Sequence, residues 1–500
     1  MIGIILAAGV GSRLRPMTNT KPKCLVTTAG QAILQYQIDA YQEAGIKELI
    51  IVVGYEGAAI KDYCKHIKEI NIKIIENTDY ETTNNMYSLY LTKNYVAGRQ
   101  FILNNADLSI DKKIVNILAK SKSDNAIAVD TSLYNEESMK ISISEDGYIS
   151  NISKSIKEQD AFACSIDFYK FSAAASKAFF EEISKIIEEE KNLKDWTEVA
   201  MQRLFQSQKL KFKACDISGL DWVEIDNYDD LALSDRKFSK YDEKAKEIDN
   251  ILFDLDGTIY VGGAPIMGAA EAIKSMQALG KNIYFLTNNS SKNKNDYVAK
   301  LTSLGIHCTE SQIVLSSDGL LEYLRKNKVE RVHALGTNSL KKSLMDHGIN
   351  IDSANPEYVV IGYDTELNYQ KLMTACKYIN EGTDILATHC DIFCPSEYGP
   401  IPDIGALLEM IRITTGKTPK KVFGKPNMEM IEPLISKFNL NPQKTLIVGD
   451  RLHTDILMSK KFSCYGLLVL TGDSTRDQVE DSKNQPDFIL KSVKDMPYIN

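Results

Sequence analysis

Two carboxylates one residue apart, Asp254 and Asp256, follow the apolar run Ile251-Leu252-Phe253 and precede Gly257-Thr258. Side chains alternate along a strand, so residues two apart leave the strand end on the same side. One such carboxylate can attack a phosphorus atom while the other protonates the departing oxygen and then activates water. A second constellation opens the chain, where Leu6, Ala7, Ala8, Gly9, Gly11 and Ser12 run into Arg13-Leu14-Arg15-Pro16. Small residues there let backbone N–H groups close around phosphate oxygens. Arg13 and Lys23, the latter in Lys21-Pro22-Lys23, add positive charge where a triphosphate gains negative charge during reaction. Asp107 ends one apolar run and Asp226 follows Trp222-Val223-Glu224-Ile225. Both can therefore face a crevice at strand ends, where open α/β sheets bind their ligands.

These groups need strands to carry them. In the first half, strand-like runs at 2–9, 48–55, 72–77, 100–107 and 125–130 alternate with helical patterns such as 33–45, whose apolar positions recur three and four apart before a glycine. The second half repeats the alternation through ILFDLDG, NIYFLTNNS, YVVIGYD, KVFGKPN and TLIVGDRL. The expected fold class is α/β: two doubly wound, Rossmann-like domains with mainly parallel sheets, the second carrying an inserted α/β cap. The expected boundaries are 1–235 for the first domain, 236–249 for a polar linker that could also be a helix, 250–291 with 420–500 for the second core, and 292–419 for the cap.

At 500 residues the chain should hold roughly three globular units. A hydrophobic share of 44% and a charged share of 25% suit a globular protein. A net charge of -8 argues against a general nucleic-acid binder, whose affinity rests on basic surface. Nine cysteines occur without a CxxC pair, which fits a reduced cytoplasm better than a disulfide framework. Neither a leader peptide nor an apolar run of membrane-spanning length is expected.

The opening LAAGVGSRLRP with KPK resembles the sugar-phosphate and phosphocholine nucleotidyltransferase family. The likeness continues through Gly54-Tyr55-Glu56, Asn84 to Tyr90, Ala106 to Ile110 and Trp222 to Leu231. It implies that the loop, with Gly54 and Tyr55, binds the nucleotide and that Asp107 and Asp226 hold Mg2+. The reaction would be attack by a substrate phosphate on the nucleotide α-phosphorus, with pyrophosphate leaving. YSLY and IDNYDDL are closest to cytidylyltransferases for small phospho-alcohols, which implies CTP. The stretch Glu136 to Ile141 has no tryptophan to cage a quaternary ammonium. Lys140 and Lys154 point instead to a neutral or anionic head such as glycerol phosphate. Asn84 joins them as a substrate candidate, and Trp196 and Glu198 could line the acceptor pocket or simply pack a helix turn.

In the second half, DLDGT, LTNNS at Leu286 to Ser290, FGKPN at Phe423 to Asn427 and VGDRLHTDI at Val448 to Ile456 resemble the haloacid dehalogenase superfamily, in its p-nitrophenylphosphatase-like, α/β-capped branch. The resemblance implies Asp254 as nucleophile and Asp256 as acid/base. It assigns Thr287, Asn288 and Lys425 to the phosphoryl group and Asp450 to Mg2+ beside Asp254, with Asp256 counted in the metal set and Asp455 in support. Arg451 and His453 would shape the loop. His389 lies near Cys390 and Cys394 in the cap, but no fourth ligand is evident for a zinc site.

The joint expectation is a bifunctional enzyme acting on small phosphomonoesters: a Mg2+-dependent cytidylyltransferase and a phosphatase, supplying an activated headgroup for surface polysaccharide. A phosphocholine or sugar-1-phosphate transferase paired with an unrelated phosphatase is one alternative. A phosphatase with a nucleotide-sensing N-terminal domain is another. The oligomeric state is left open.

Overall fold

The protein is described by a computed structural model covering all residues except Asn135, 395–398 and 498–500. It divides into two compact units, Met1–Phe238 and Ser239–Asn500.

All six residues of the strand Ile2–Ala7 are buried, the pattern of a strand covered on both faces. It pairs in parallel with Glu48–Val53 on one side and Phe101–Asn105 on the other, and Asn71–Glu76 extends the parallel part. The helix Ile33–Glu43 buries Ile33, Leu34, Gln37, Ile38 and Tyr41, one face at helical spacing. Gly45 follows it at φ 71°, the left-handed conformation that ends helices. The sheet then turns mixed: Ala163–Phe171 runs antiparallel to Phe101–Asn105, Ala126–Asp130 and Lys140–Ile143. The strands that follow Ile2–Ala7 are laid first on one side of it and then on the other, and this reversal of strand order opens a crevice beyond Ala7 and Asn105.

In the second unit six parallel strands are ordered Ile313–Leu315, Asn282–Thr287, Asn250–Asp254, Thr445–Gly449, Tyr465–Val469 and Phe488–Leu490. A separate parallel sheet contains Val332–Leu335, Tyr358–Ile361, Asp384–Ala387 and Lys421–Val422. The cap differs from the expected 292–419 at both ends. Ile313–Leu315 extends the core sheet, whereas Lys421–Val422 closes the cap sheet. Of the two readings left open for residues 236–249 the helical one holds, with Tyr228–Phe238 and Tyr241–Glu247 as helices. Tyr241 and Ala245 pack into the second core, and the Tyr241 hydroxyl donates to Met496 O at 2.8 Å. The polar composition of that stretch concealed one apolar face.

Candidate active sites

In the first unit a cavity of about 410 Å³ is lined by Leu6 through Gly9, Gly11, Ser12, Arg13 and Lys23 from the loop side, and by Asp107 and Asp226 opposite. Lys23 Nζ donates to Asp107 Oδ2 at 3.0 Å and to Asp226 Oδ1 at 2.9 Å, and Arg13 reaches Asp226 at 2.9 Å. Burial works against the charge of Lys23, but the two aspartates outweigh it and raise its pKa. Burial likewise pulls Asp226 upward, yet Lys23 and Arg13 hold it below the usual carboxylate range. The loop owes its path to Gly11 at φ 65° and to the Thr18 hydroxyl, which donates to Gly11 O at 2.8 Å.

Gly54 and Tyr55, expected at the nucleotide, stand outside the cavity lining and support the loop instead. A Cβ on Gly54 would lie 2.7 Å from Ala8 O, and the Tyr55 hydroxyl donates to Thr18 O and Asn19 O at 2.9 and 2.7 Å. Lys140 is also displaced from its expected role. It is buried, donates to Glu136 O at 2.7 Å and does not line the cavity. Asn84, Lys154, Trp196 and Glu198 do line it.

Two lining carboxylates, Asp167 and Glu224, escaped the sequence. Asp167 sits at φ 56° in a register shift of the strand Ala163–Phe171. A bulge of this kind re-aims a side chain at the cost of local strain. The Tyr169 hydroxyl bonds both Asp167 Oδ1 and Glu198 Oε1, at 2.7 and 2.8 Å. Burial, then Glu198, pushes the Asp167 pKa up to about 7; burial, then Asp167, pushes Glu224 up to about 9. Glu224 also groups with Asp107 and Asp226, their oxygens within 4.8 Å of one another, a donor set suited to a hard divalent cation.

In the second unit the ends of three adjacent strands deliver Asp254, Thr287 and, just after Gly449, Asp450. Lys425 bonds Asp254 and reaches Asp455 at 2.7 Å. Burial disfavours its charge, but the two carboxylates more than compensate and its pKa rises. Burial raises the Asp254 pKa, with Lys425 acting against it. Asp256 is also raised by burial, with Lys300 and Lys425 opposing. A pocket of about 40 Å³ is lined by both aspartates together with Thr287, Asn288, Lys425 and Arg451.

Asp254, Asp450 and Asp455 place carboxylate oxygens within 4.8 Å of one another, and Asp450 Oδ1 is buried with no hydrogen-bond partner among the described residues. That orphaned oxygen fits a cation ligand. Asp256, expected among the metal ligands, stands outside this group, and Asp455 takes its place. The loop after residue 470 wraps Asp450 closely: Asp473 N donates to Oδ2 at 2.7 Å, and a Cβ on Gly257 or Gly472 would fall on the carboxylate itself.

Arg451 pairs with Asp391 at 3.3 Å, while His453 is exposed and outside the pocket lining. Asp391, Phe393 and Asp403, from the cap insertion, complete the wall. Asp403 accepts from Ile404 N at 2.6 Å at the start of the helix Ile404–Thr415. Burial raises its pKa to about 7 and lowers that of the fully buried His389 to about 4. Cys390 is exposed and does not join His389 in a possible ligand group.

Residues 2–231 match the nucleotidyl transferase family, residues 251–350 the haloacid dehalogenase-like hydrolases, and residues 422–496 a second HAD-hydrolase-like segment. The 5'-nucleotidase YutF of Bacillus subtilis is 30% identical over 50% of this chain and 97% of its own length. The sugar-phosphatase AraL of the same organism is 33% identical over 49% of this chain and 91% of its own length. The 4-nitrophenylphosphatase of Schizosaccharomyces pombe is 31% identical over 51% and 95%. The two sets of strand-end carboxylates thus fall within two separately matched domains, and the chain belongs to the haloacid dehalogenase-like hydrolases while also carrying a nucleotidyl transferase domain, a bifunctional enzyme of transferase and phosphatase chemistry.

Proposed function

We propose that the first unit transfers a cytidylyl group from CTP to a small phosphorylated alcohol such as glycerol phosphate, and that the second hydrolyses a phosphomonoester through an aspartyl-phosphate. The observation that carries the transferase reading is one cavity lined at once by the glycine loop and by Asn84, Asp167, Trp196 and Glu198. The loop would cradle the triphosphate through its N–H groups, while Arg13 and Lys23 neutralise charge as the bond to pyrophosphate breaks. An oxygen of the acceptor phosphate attacks the α-phosphorus in line. Asp107 and Asp226, with Glu224, would hold Mg2+, which compensates phosphate charge when bound. Carboxylates at the acceptor end suit hydroxyl donors of a polyol.

In the hydrolase unit Asp254 attacks phosphorus and the alcohol leaves with a proton from Asp256, whose raised pKa favours the acid form. Asp256 then takes a proton from the water that cleaves the aspartyl-phosphate. Thr287, Asn288 and Lys425 hold the phosphoryl oxygens, and Asp254, Asp450 and Asp455 would hold Mg2+. A phosphatase that destroyed the transferase's acceptor would make the pair futile, so its cap must exclude that compound. The names of the relatives YutF and AraL support small nucleotide or sugar phosphates as its class. The product would serve as an activated headgroup in surface-polysaccharide synthesis in the cytoplasm.

A second reading has support of its own: Trp196 beside Asp167, Glu198 and Glu224 suits an ammonium head, as in phosphocholine or another phosphorylated amino alcohol. The test is a matrix of nucleoside triphosphates against phosphorylated polyols and amino alcohols, with pyrophosphate and inorganic phosphate read separately. Pyrophosphate released best from CTP with a polyol phosphate supports the first reading. Release with amino alcohols alone favours the second, and no release from any nucleotide sinks both.

A further inference from the structure

His389 is buried to 0% exposure, yet neither of its ring nitrogens has a hydrogen-bond partner among the described residues. Buried polar atoms are nearly always partnered, so such an imidazole calls for an explanation. Its Nε2 lies 3.2 Å from Asp403 Oδ1, but not along a ring N–H hydrogen bond. Two ligands on one ion, each about 2.0–2.2 Å from it and about 90–110° apart, stand about 3.0–3.4 Å from each other. The observed separation fits two ligands sharing an ion. Asp391 supplies a third oxygen, and the three ligand atoms all lie within 4.8 Å of one another.

The frame behind these groups is already fixed. Gly405 N donates to Asp391 O at 2.7 Å and Asp403 N to Ile392 O at 3.0 Å, tying the two ligand-bearing segments together. A Cβ on Gly405 would collide with Cys390 O, so this close approach depends on glycine. Asn288 donates to both oxygens of Asp391 at 3.1 Å and Arg451 to its Oδ2 at 3.3 Å, which fixes the carboxylate's orientation as outer partners of metal ligands do.

We propose that His389, Asp391 and Asp403 bind a divalent first-row transition-metal ion, distinct from the cation held by Asp254, Asp450 and Asp455. The two sets differ in chemistry. Three carboxylates suit a hard ion such as Mg2+, whereas an imidazole among the ligands favours a borderline ion such as Zn2+, Fe2+ or Ni2+. Asp403 and Asp391, the latter shared with Arg451, supply the negative charge that faces the ion. Asp391 and Asp403 both line the phosphatase pocket while His389 sits behind them. The ion's remaining coordination positions would therefore be available to a hydroxyl or carboxylate of a substrate in that pocket.

The experiment uses full-length protein, stripped with chelator, returned to excess Mg2+ to fill the all-oxygen sites, and titrated with Co2+. One equivalent of Co2+ should be retained per chain, with nitrogen coupling from a single imidazole in pulsed electron paramagnetic resonance. His389→Gln should abolish that coupling, while His453→Gln, altering the histidine of the VGDRLHTDI motif, should keep it. Asp403→Asn should retain the coupling and weaken Co2+ binding by about tenfold or more. Thermal melts of the metal-free variants verify folding; if His389→Gln does not fold, the wild-type coupling and the Asp403→Asn affinity decide. Absence of nitrogen coupling in the wild type, coupling that survives His389→Gln, or unchanged Co2+ affinity in Asp403→Asn overturns the proposal.

Discussion

In the transferase unit Lys23 meets Asp107 and Asp226 on the wall of a cavity of about 410 Å³, with those two carboxylates 27% and 21% exposed. In the hydrolase unit Lys425 meets Asp254 and Asp455 beside a pocket of about 40 Å³, with the carboxylates 9% and 0% exposed. The same lysine-between-aspartates arrangement is built wet in one place and dry in the other. A nucleotide brings its own activated bond and leaving group, so the transferase residues need only position it and balance charge. The hydrolase must turn a carboxylate into a nucleophile, and charges act most strongly where water is excluded.

The largest effect that can break this contrast comes from Asp254→Asn. Phosphate release should fall by about 10³-fold or more while pyrophosphate release stays within about twofold, measured on the same preparation. A parallel loss of both products would mean that the two chemistries are not separable. Asp107→Asn should do the reverse, lowering pyrophosphate release by about 10²–10³-fold and leaving phosphatase turnover intact.

A smaller effect concerns pH. Asp167 has a folded pKa of about 7 against an ordinary 3.8, so the folded state holds its proton more tightly and loses stability as pH rises between those values. Asp167→Asn should therefore raise the melting temperature at pH 8 relative to the wild type, with the gain vanishing toward pH 4. A gain independent of pH would show that the carboxylate is not strained by burial. The smallest effect should come from Tyr55→Phe, which removes donation to two loop carbonyls and should cost about 0.5–1.5 kcal/mol in a denaturant melt. It should also raise KM for the nucleotide modestly without changing kcat.

The residues legible in the sequence were those whose partners are close in the chain. The loop from Leu6 to Arg13 and the Asp254, Asp256 pair each carry their geometry within a few residues. The apolar runs marked the parallel strands because burial on both faces leaves no polar alternation to confuse them. Asp167 was hidden because its direction depends on a bulge within a strand whose pairing is nonlocal. Asp403 belongs to none of the sequence motifs, and its place in the pocket wall depends on a hairpin, Phe393–Cys394 with Ile401–Pro402, that only the fold brings into register. Lys140 misled for the opposite reason: its charge suggested a ligand, but it is buried outside the cavity lining, where its amine donates to Glu136 O.

Gly472 lies in none of the motifs and has no functional group, yet its missing side chain is the space that the Asp450 carboxylate fills. A substitution survey scored by activity would rank Gly472→Ala among the most damaging changes in the hydrolase unit, although nothing at that position touches the substrate. An inventory of chemically reactive side chains would pass over it. The hydrolase site is defined by an enforced vacancy as much as by its acids.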